Sequence, residues 1–140
     1  MAKSHVISII DDDPSVRLAT QSLVRSLGHT AEVFSSAEEY LQSGRAGDSS
    51  CVITDLHMPG MNGADLQNRL IADGHRVPMI FVTAYFDERT RAQVMDAGAF
   101  GYLRKPFADE RLIECLDRAL APALRSDNPR AASTPQLTTL

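Results

Sequence analysis

Five short apolar runs alternate along the chain with longer stretches whose apolar residues recur at helical spacing. Val6–Ile10 is apolar except for Ser8, and Cys51–Thr54 and Pro78–Thr83 are similarly continuous. Runs of this length without polar alternation fit strands covered on both faces. Thr30–Phe34 and Ala99–Arg104 complete the strand candidates. After the first run, Asp13-Pro14 supplies an N-cap followed by proline at the first helical position. Val16, Ala19, Leu23, Val24 and Leu27 then mark one helical face up to Gly28. Ser35 or Ser36 caps a second helix, with Glu38 and Glu39 in its first turn and Tyr40-Leu41 facing inward. Leu66, Leu70 and Ile71 define the inner face of a third, ending at Gly74. Asp87 caps a fourth helix to Ala97, whose stripe of Ala92, Val94 and Met95 is thin. The last, from Asp109 to about Ala121, buries Leu112, Ile113, Leu116 and Leu120.

This order predicts a (βα)5 α/β fold. Strands joined by helices of this length need right-handed crossovers, hence a doubly wound parallel sheet with helices on both faces. One domain is expected over residues 1–121. Residues 122–140 carry Pro122, Pro129 and Pro135 among Ser, Thr, Asn and Arg, which reads as a disordered tail or the start of an interdomain linker. The chain is 140 residues long, 44% hydrophobic and 23% charged, with a net charge of −4. That charge argues against direct nucleic-acid contact by this segment. No apolar stretch approaches the roughly 18–20 residues needed to cross a bilayer. Cys51 and Cys115 lie far apart in apolar patterns and suggest buried thiols in a reducing cytoplasm, not a metal or disulfide pair.

The ends of four runs carry the candidate chemistry. The first leads into Asp11, Asp12 and Asp13, and the third into Asp55. The fourth ends at Thr83, and the fifth at Lys105-Pro106. In open α/β sheets, ligands bind outside the carboxyl ends of the strands. With Asp13 assigned to the cap, Asp11, Asp12 and Asp55 can supply hard oxygen ligands for Mg²⁺ or Mn²⁺. Asp55 can act as a ligand, a nucleophile, or both, and a nucleophilic carboxylate needs a counter-cation to approach a phosphoryl group. Lys105 offers a point positive charge and Thr83 a hydroxyl donor for phosphoryl oxygens. Taken singly, each residue has a plainer reading: solvated loop charges, a loop cap, a β-branched strand residue, a surface lysine. Tyr102 can simply pack on the sheet.

With those residues in place, the chain resembles the receiver domains of two-component response regulators. The resemblance runs from about Val6 to Leu120. It rests on Asp11-Asp12, on Asp55-Leu56-His57-Met58-Pro59-Gly60-Met61-Asn62-Gly63, on Thr83-Ala84, and on Gly101-Tyr102-Leu103-Arg104-Lys105-Pro106-Phe107. Phe34-Ser35-Ser36-Ala37-Glu38-Glu39-Tyr40-Leu41 further resembles nitrogen-fixation-type receivers, which usually carry a LuxR-type DNA-binding domain. The resemblance implies a flavodoxin-like sheet in the order 2-1-3-4-5 and a cytoplasmic signalling phosphoprotein. It implies that Asp55 accepts a phosphoryl group from a histidine kinase or phosphotransfer protein. Asp11, Asp12, Asp55 and the backbone carbonyl of His57 would hold Mg²⁺, for which Mn²⁺ can substitute. Thr83 and Lys105 would bind phosphoryl oxygens, Thr83 and Tyr102 would form the switch, and the Lys105-Pro106 peptide would be cis. Phosphorylation would then alter the face made by the fourth helix, fifth strand and fifth helix and promote homodimerisation. His57 and Tyr85, each two residues past a site residue, would shield the acyl phosphate from water.

Two other functions fit parts of the pattern. A haloacid-dehalogenase-type phosphatase also uses an Asp nucleophile, Mg²⁺, Thr and Lys, but it needs a second acid where His57 stands. The other is the regulatory half of a LuxR-type transcription factor, whose DNA-binding domain is absent here. The residues after Ala121 are too few for a helix-turn-helix domain.

Overall fold

A computed structural model describes residues 5–121. The expected tail over 122–140 lies outside the described residues. In chain order the elements are β1 (Val6–Ile10), α1 (Pro14–Ser26), β2 (Thr30–Phe34), α2 (Ala37–Ser43) and β3 (Cys51–Asp55). They continue as α3 (Gly63–Ala72), β4 (Met79–Thr83), α4 (Glu88–Asp96), β5 (Gly101–Arg104) and α5 (Asp109–Leu120). All strand pairs are parallel, and the sheet order is 2-1-3-4-5, as the resemblance implied.

Strand residues divide the core into two layers. Ile7, Ile9, Ile53, Ile80 and Val82 pack with Val24 of α1 and Leu112 and Leu116 of α5. Ile10, Val52 and Phe81 face the other way, against Tyr40 of α2, Leu66 and Leu70 of α3, and Val94 of α4. Every residue of β3 and β4 is buried, which explains their unbroken apolar runs. Helix starts follow the expected chemistry. Asp13 accepts the N–H groups of Ser15 (2.9 Å) and Val16 (3.4 Å), with Pro14 at the first helical position. Ser36 caps α2 and Asp87 caps α4, while Asn62 and Asp65 form a reciprocal capping box on α3.

Several inward assignments need correction. Ile71 is 53% exposed, and Gln67 takes an inward place on α3 instead. The α3 arc spans Gly63, Leu66, Gln67 and Leu70, and Ile71, one turn after Gln67, lies about 40° past its edge. Gln67 is tolerated inside because its side-chain N–H donates to the carbonyl of Val94 at 3.1 Å. On α1, Ala19 and Leu27 are exposed and Thr20 is buried. On α4, Ala92 is exposed and Val94 alone is buried, so the helix is packed even more sparsely than its pattern suggested. Strand β5 starts at Gly101, two residues later than expected. The N–H groups of Ala99 and Phe100 are taken by Val94 and Met79 carbonyls as the chain leaves α4.

Register is what assembles the site. Ile10 pairs with Thr54, Asp55 with Val82, and Thr83 with Arg104. Asp11, Asp55, Thr83 and Lys105 therefore emerge within two residues of each other along the carboxyl edge.

Candidate functional site

Asp11 and Asp55 are nearly buried, at 2% and 6% exposure, while Asp12 is exposed. The Lys105 ammonium bridges the two buried carboxylates, 2.9 Å from Asp11 Oδ2 and 3.2 Å from Asp55 Oδ2. Their other oxygens accept backbone donors: Asp11 Oδ1 from the Asp13 N–H at 2.9 Å, and Asp55 Oδ1 from the His57 N–H at 3.3 Å. One oxygen each of Asp11, Asp12 and Asp55 lies within 4.8 Å of the others. The sequence-predicted acid cluster and lysine are thus brought together.

The charges within this group are unbalanced. Burial pushes the Asp55 carboxyl above the usual carboxylate range, and the Asp11 charge adds to this, outweighing the opposing pull of Lys105. Burial works against the Lys105 charge, yet its hydrogen bond to Asp11 and the charges of Asp11 and Asp55 hold its pKa above the ordinary lysine value. One ammonium stands beside three carboxylates, and a divalent cation would balance the two charges left over. An oxygen-only donor set of this kind suits a hard cation.

Local structure explains the positions. Gly63 opens α3 where a Cβ would lie 2.8 Å from the Asp55 carbonyl oxygen and 3.2 Å from the Phe81 ring. Only glycine lets α3 pack this closely against the end of β3. The Lys105 N–H donates to the Thr83 carbonyl at 2.7 Å, tying β4 to β5 at the edge, and the Lys105-Pro106 peptide is cis.

The hydroxyls of Thr83 and Tyr102 bond to the β4–α4 loop. The Thr83 hydroxyl is fully buried and turned into its own loop, donating to the Tyr85 carbonyl (3.1 Å) and accepting the Tyr85 N–H (3.0 Å). Tyr102 is half-buried, with its ring edge-on to Phe86 at 5.3 Å and its hydroxyl directed to the Asp87 carbonyl at 3.5 Å. The rings of His57 and Tyr85 meet edge to face at 5.8 Å, joining the β3–α3 and β4–α4 loops.

Three contributors escaped the sequence pattern. Arg17 of α1 donates to the Asp11 backbone carbonyl at 2.7 Å. Glu38 of α2 reaches the loop after Asp55, and Gln67 ties α3 to α4. Only the proximity of Arg17 to Asp11 in sequence could have flagged any of them.

The family model described as the response regulator receiver domain matches residues 7–117. The chain is 39% identical over 132 residues to the response regulator protein TodT of Pseudomonas putida, covering 93% of this chain and 58% of TodT. It is 33% identical over 128 residues to the transcriptional regulatory protein FixJ of Bradyrhizobium diazoefficiens, covering 89% of this chain and 62% of FixJ. The chain therefore spans less than two thirds of the length of these relatives. Among solved structures, a response regulator receiver protein from Burkholderia phymatum is 40% identical, with a TM-score of 0.73 and coverage of 86% of this chain and 98% of that one. FixJ-N is 30% identical, with a TM-score of 0.77 and coverage of 86% and 97%. Among the described residues, no helix is long and apolar enough to cross a membrane. A family match spanning nearly all of the described fold, and relatives that are themselves response regulators, place this chain in the receiver domain family of two-component signal transduction.

Proposed function

We propose that Asp55 is the phosphoacceptor and that residues 1–121 form the receiver unit. One observation carries this reading: a single lysine bridges two buried carboxylates from neighbouring strands, with a third carboxylate beside them. A carboxylate oxygen of Asp55 attacks the phosphorus of a phosphohistidine. The P–N bond breaks, the imidazole leaves and takes up a proton, and an acyl phosphate forms. Asp11, Asp12, Asp55 and the His57 carbonyl would hold Mg²⁺, or Mn²⁺ in its place, and the ion would supply neutralisation of negative charge. Lys105 holds one phosphoryl oxygen. The chain modifies itself and turns over no separate substrate.

The donor is a histidine kinase or phosphotransfer protein. An apolar groove lined by Val16, Leu23, Pro106 and Phe107 runs beside Lys105, so a docked donor stands next to Asp55. In the switch, the Thr83 hydroxyl exchanges its Tyr85 partners for a phosphoryl oxygen, and Tyr102 moves into the vacated space. Sparse burial of α4 lets the α4–β5–α5 face respond at low cost and pair with a second copy. The share of TodT and FixJ that is matched favours a wider reading of the natural protein, as a transcription factor whose LuxR-type DNA-binding half lies beyond this segment.

Incubation with acetyl phosphate and Mg²⁺ tests the assignment directly. A single hydroxylamine-sensitive phosphoryl adduct should map to Asp55 by mass spectrometry. An adduct elsewhere, or none, would overturn the assignment.

The His57–Tyr85 contact predicts a slow-decaying acyl phosphate, because two ring-bearing side chains crowd the path of an attacking water. Replacing both by alanine should raise the rate of phosphate loss roughly tenfold, equivalent to about 1.4 kcal/mol of barrier. An unchanged decay rate in the double variant would remove shielding as their role.

A further inference from the structure

Carboxylates hold three backbone N–H groups of the loop between β3 and α3. The His57 N–H goes to Asp55 at 3.3 Å and the Asn62 N–H to Asp65 at 3.3 Å, both local contacts. The third comes from a different element. Glu38, in the first turn of α2, accepts the Met61 N–H on Oε2 at 2.9 Å across 23 residues of sequence.

Gly60 is shaped to this contact. Its φ is +76°, and a Cβ built there would lie 2.6 Å from the same Glu38 oxygen. The carboxylate thus fills the space that any side chain at position 60 would need. Capping of α2 does not require Glu38. Ser36 accepts the Glu39 N–H at 3.0 Å, and Glu39 reaches back to the Ser35 N–H at 2.6 Å and the Ser35 hydroxyl at 2.9 Å. Glu38 is left to turn toward the neighbouring loop. The bond to the Met61 N–H, the largest influence on it, holds the Glu38 carboxyl below the usual carboxylate range.

The anchored segment is short. Met58 is buried in the α2–α3 core, Pro59 has a fixed φ, and Met61 is held by Glu38. His57 precedes these anchors directly. We infer that Glu38 is a positioning residue for the phosphoryl site: by clamping the backbone at Gly60-Met61, it fixes the loop that presents the His57 carbonyl to the cation. This inference rests on the proposed function of the Asp11–Asp12–Asp55 cluster.

Amide NMR on the full chain, titrated with Mg²⁺, separates the two claims. In the wild type, Mg²⁺ should shift the amides of Asp11, Asp55 and His57, and absence of those shifts would overturn the cation site itself. Given those shifts, Glu38→Ala should weaken Mg²⁺ binding by about three- to tenfold and speed hydrogen exchange at Met61, the scale expected for losing one charge-assisted hydrogen bond at the surface. Glu38→Gln keeps an acceptor of the same reach and should recover part of the affinity. Gly60→Ala should weaken binding more in the wild type than in the Glu38→Ala background, because the clash at 2.6 Å needs the carboxylate. Wild-type Mg²⁺ affinity in Glu38→Ala, or equal effects of Gly60→Ala in both backgrounds, would overturn the positioning role while leaving the cation site standing.

Discussion

Asp55→Asn is expected to abolish phosphoryl acceptance and, in metal-free buffer, to make the domain more stable than the wild type. The two effects share one cause. Asp55 is placed where a carboxylate is useful to chemistry and unfavourable to folding: 6% exposed, beside the Asp11 carboxylate, with a single ammonium shared between them. Burial, then the Asp11 charge, raises its pKa, so the folded state penalises the ionised form relative to the unfolded chain. Asparagine has the same shape, keeps an oxygen for the Lys105 ammonium or the His57 N–H, and carries no charge. A gain of about 1 kcal/mol would raise the melting temperature of a domain this size by roughly 3–6 °C. Mg²⁺ should reverse the order. It should bind the folded wild type at the acidic cluster, and the resulting stabilisation would grow with the ratio of free ion to dissociation constant. The variant has lost a ligand and gains less. Thermal unfolding of both proteins in EDTA and in millimolar Mg²⁺, beside acetyl phosphate labelling, checks all of this. A variant that still takes label, or one less stable than the wild type in EDTA, contradicts the account.

The same cluster shows what a linear sequence can and cannot disclose. Asp11, Asp55 and Lys105 were legible because each follows an apolar run, and parallel strands must align their carboxyl ends once crossovers are right-handed. Asp13 was legible as a cap from the proline after it. Side-chain direction at the edge was not. Thr83 sits where the pattern placed it, but its hydroxyl turns to Tyr85, because an N–H and a carbonyl two residues away compete for it locally. Helix faces were legible at their centres and not at their borders. Ile71 and Gln67 lie at neighbouring margins of the α3 stripe, and hydropathy favours the wrong one. What decides is that Gln67 finds the Val94 carbonyl, a partner 27 residues away. Glu38 illustrates the same limit. Beside Glu39 in sequence it looks like a second first-turn acid, and only the packing of α2 against the next loop gives it a separate partner.

Lys105→Met should separate folding, cation binding and phosphoryl transfer, which the wild-type lysine joins. Its ammonium is the only cationic partner given to Asp11 and Asp55 among the described side-chain contacts. Both carboxylates are nearly buried, so removing the partner leaves two uncompensated charges in a poorly solvated place. Breaking buried pairs in this way costs about 3–5 kcal/mol. The urea midpoint in EDTA should fall accordingly. Mg²⁺ affinity should move in the other direction, because the competing positive charge has gone and the carboxylate oxygens are released to the ion. Added Mg²⁺ should therefore recover most of the lost stability. Phosphorylation should not recover with it. In the proposed transfer Lys105 would donate to phosphoryl oxygens as charge develops there, and loss of one such preorganised donor slows comparable reactions by about 10²–10³-fold. With the ion saturating, acetyl phosphate should label Lys105→Met at a rate lowered to that extent. Weaker Mg²⁺ binding in the variant would show that the lysine organises the carboxylates instead of competing for them. A wild-type labelling rate would remove Lys105 from the transfer step.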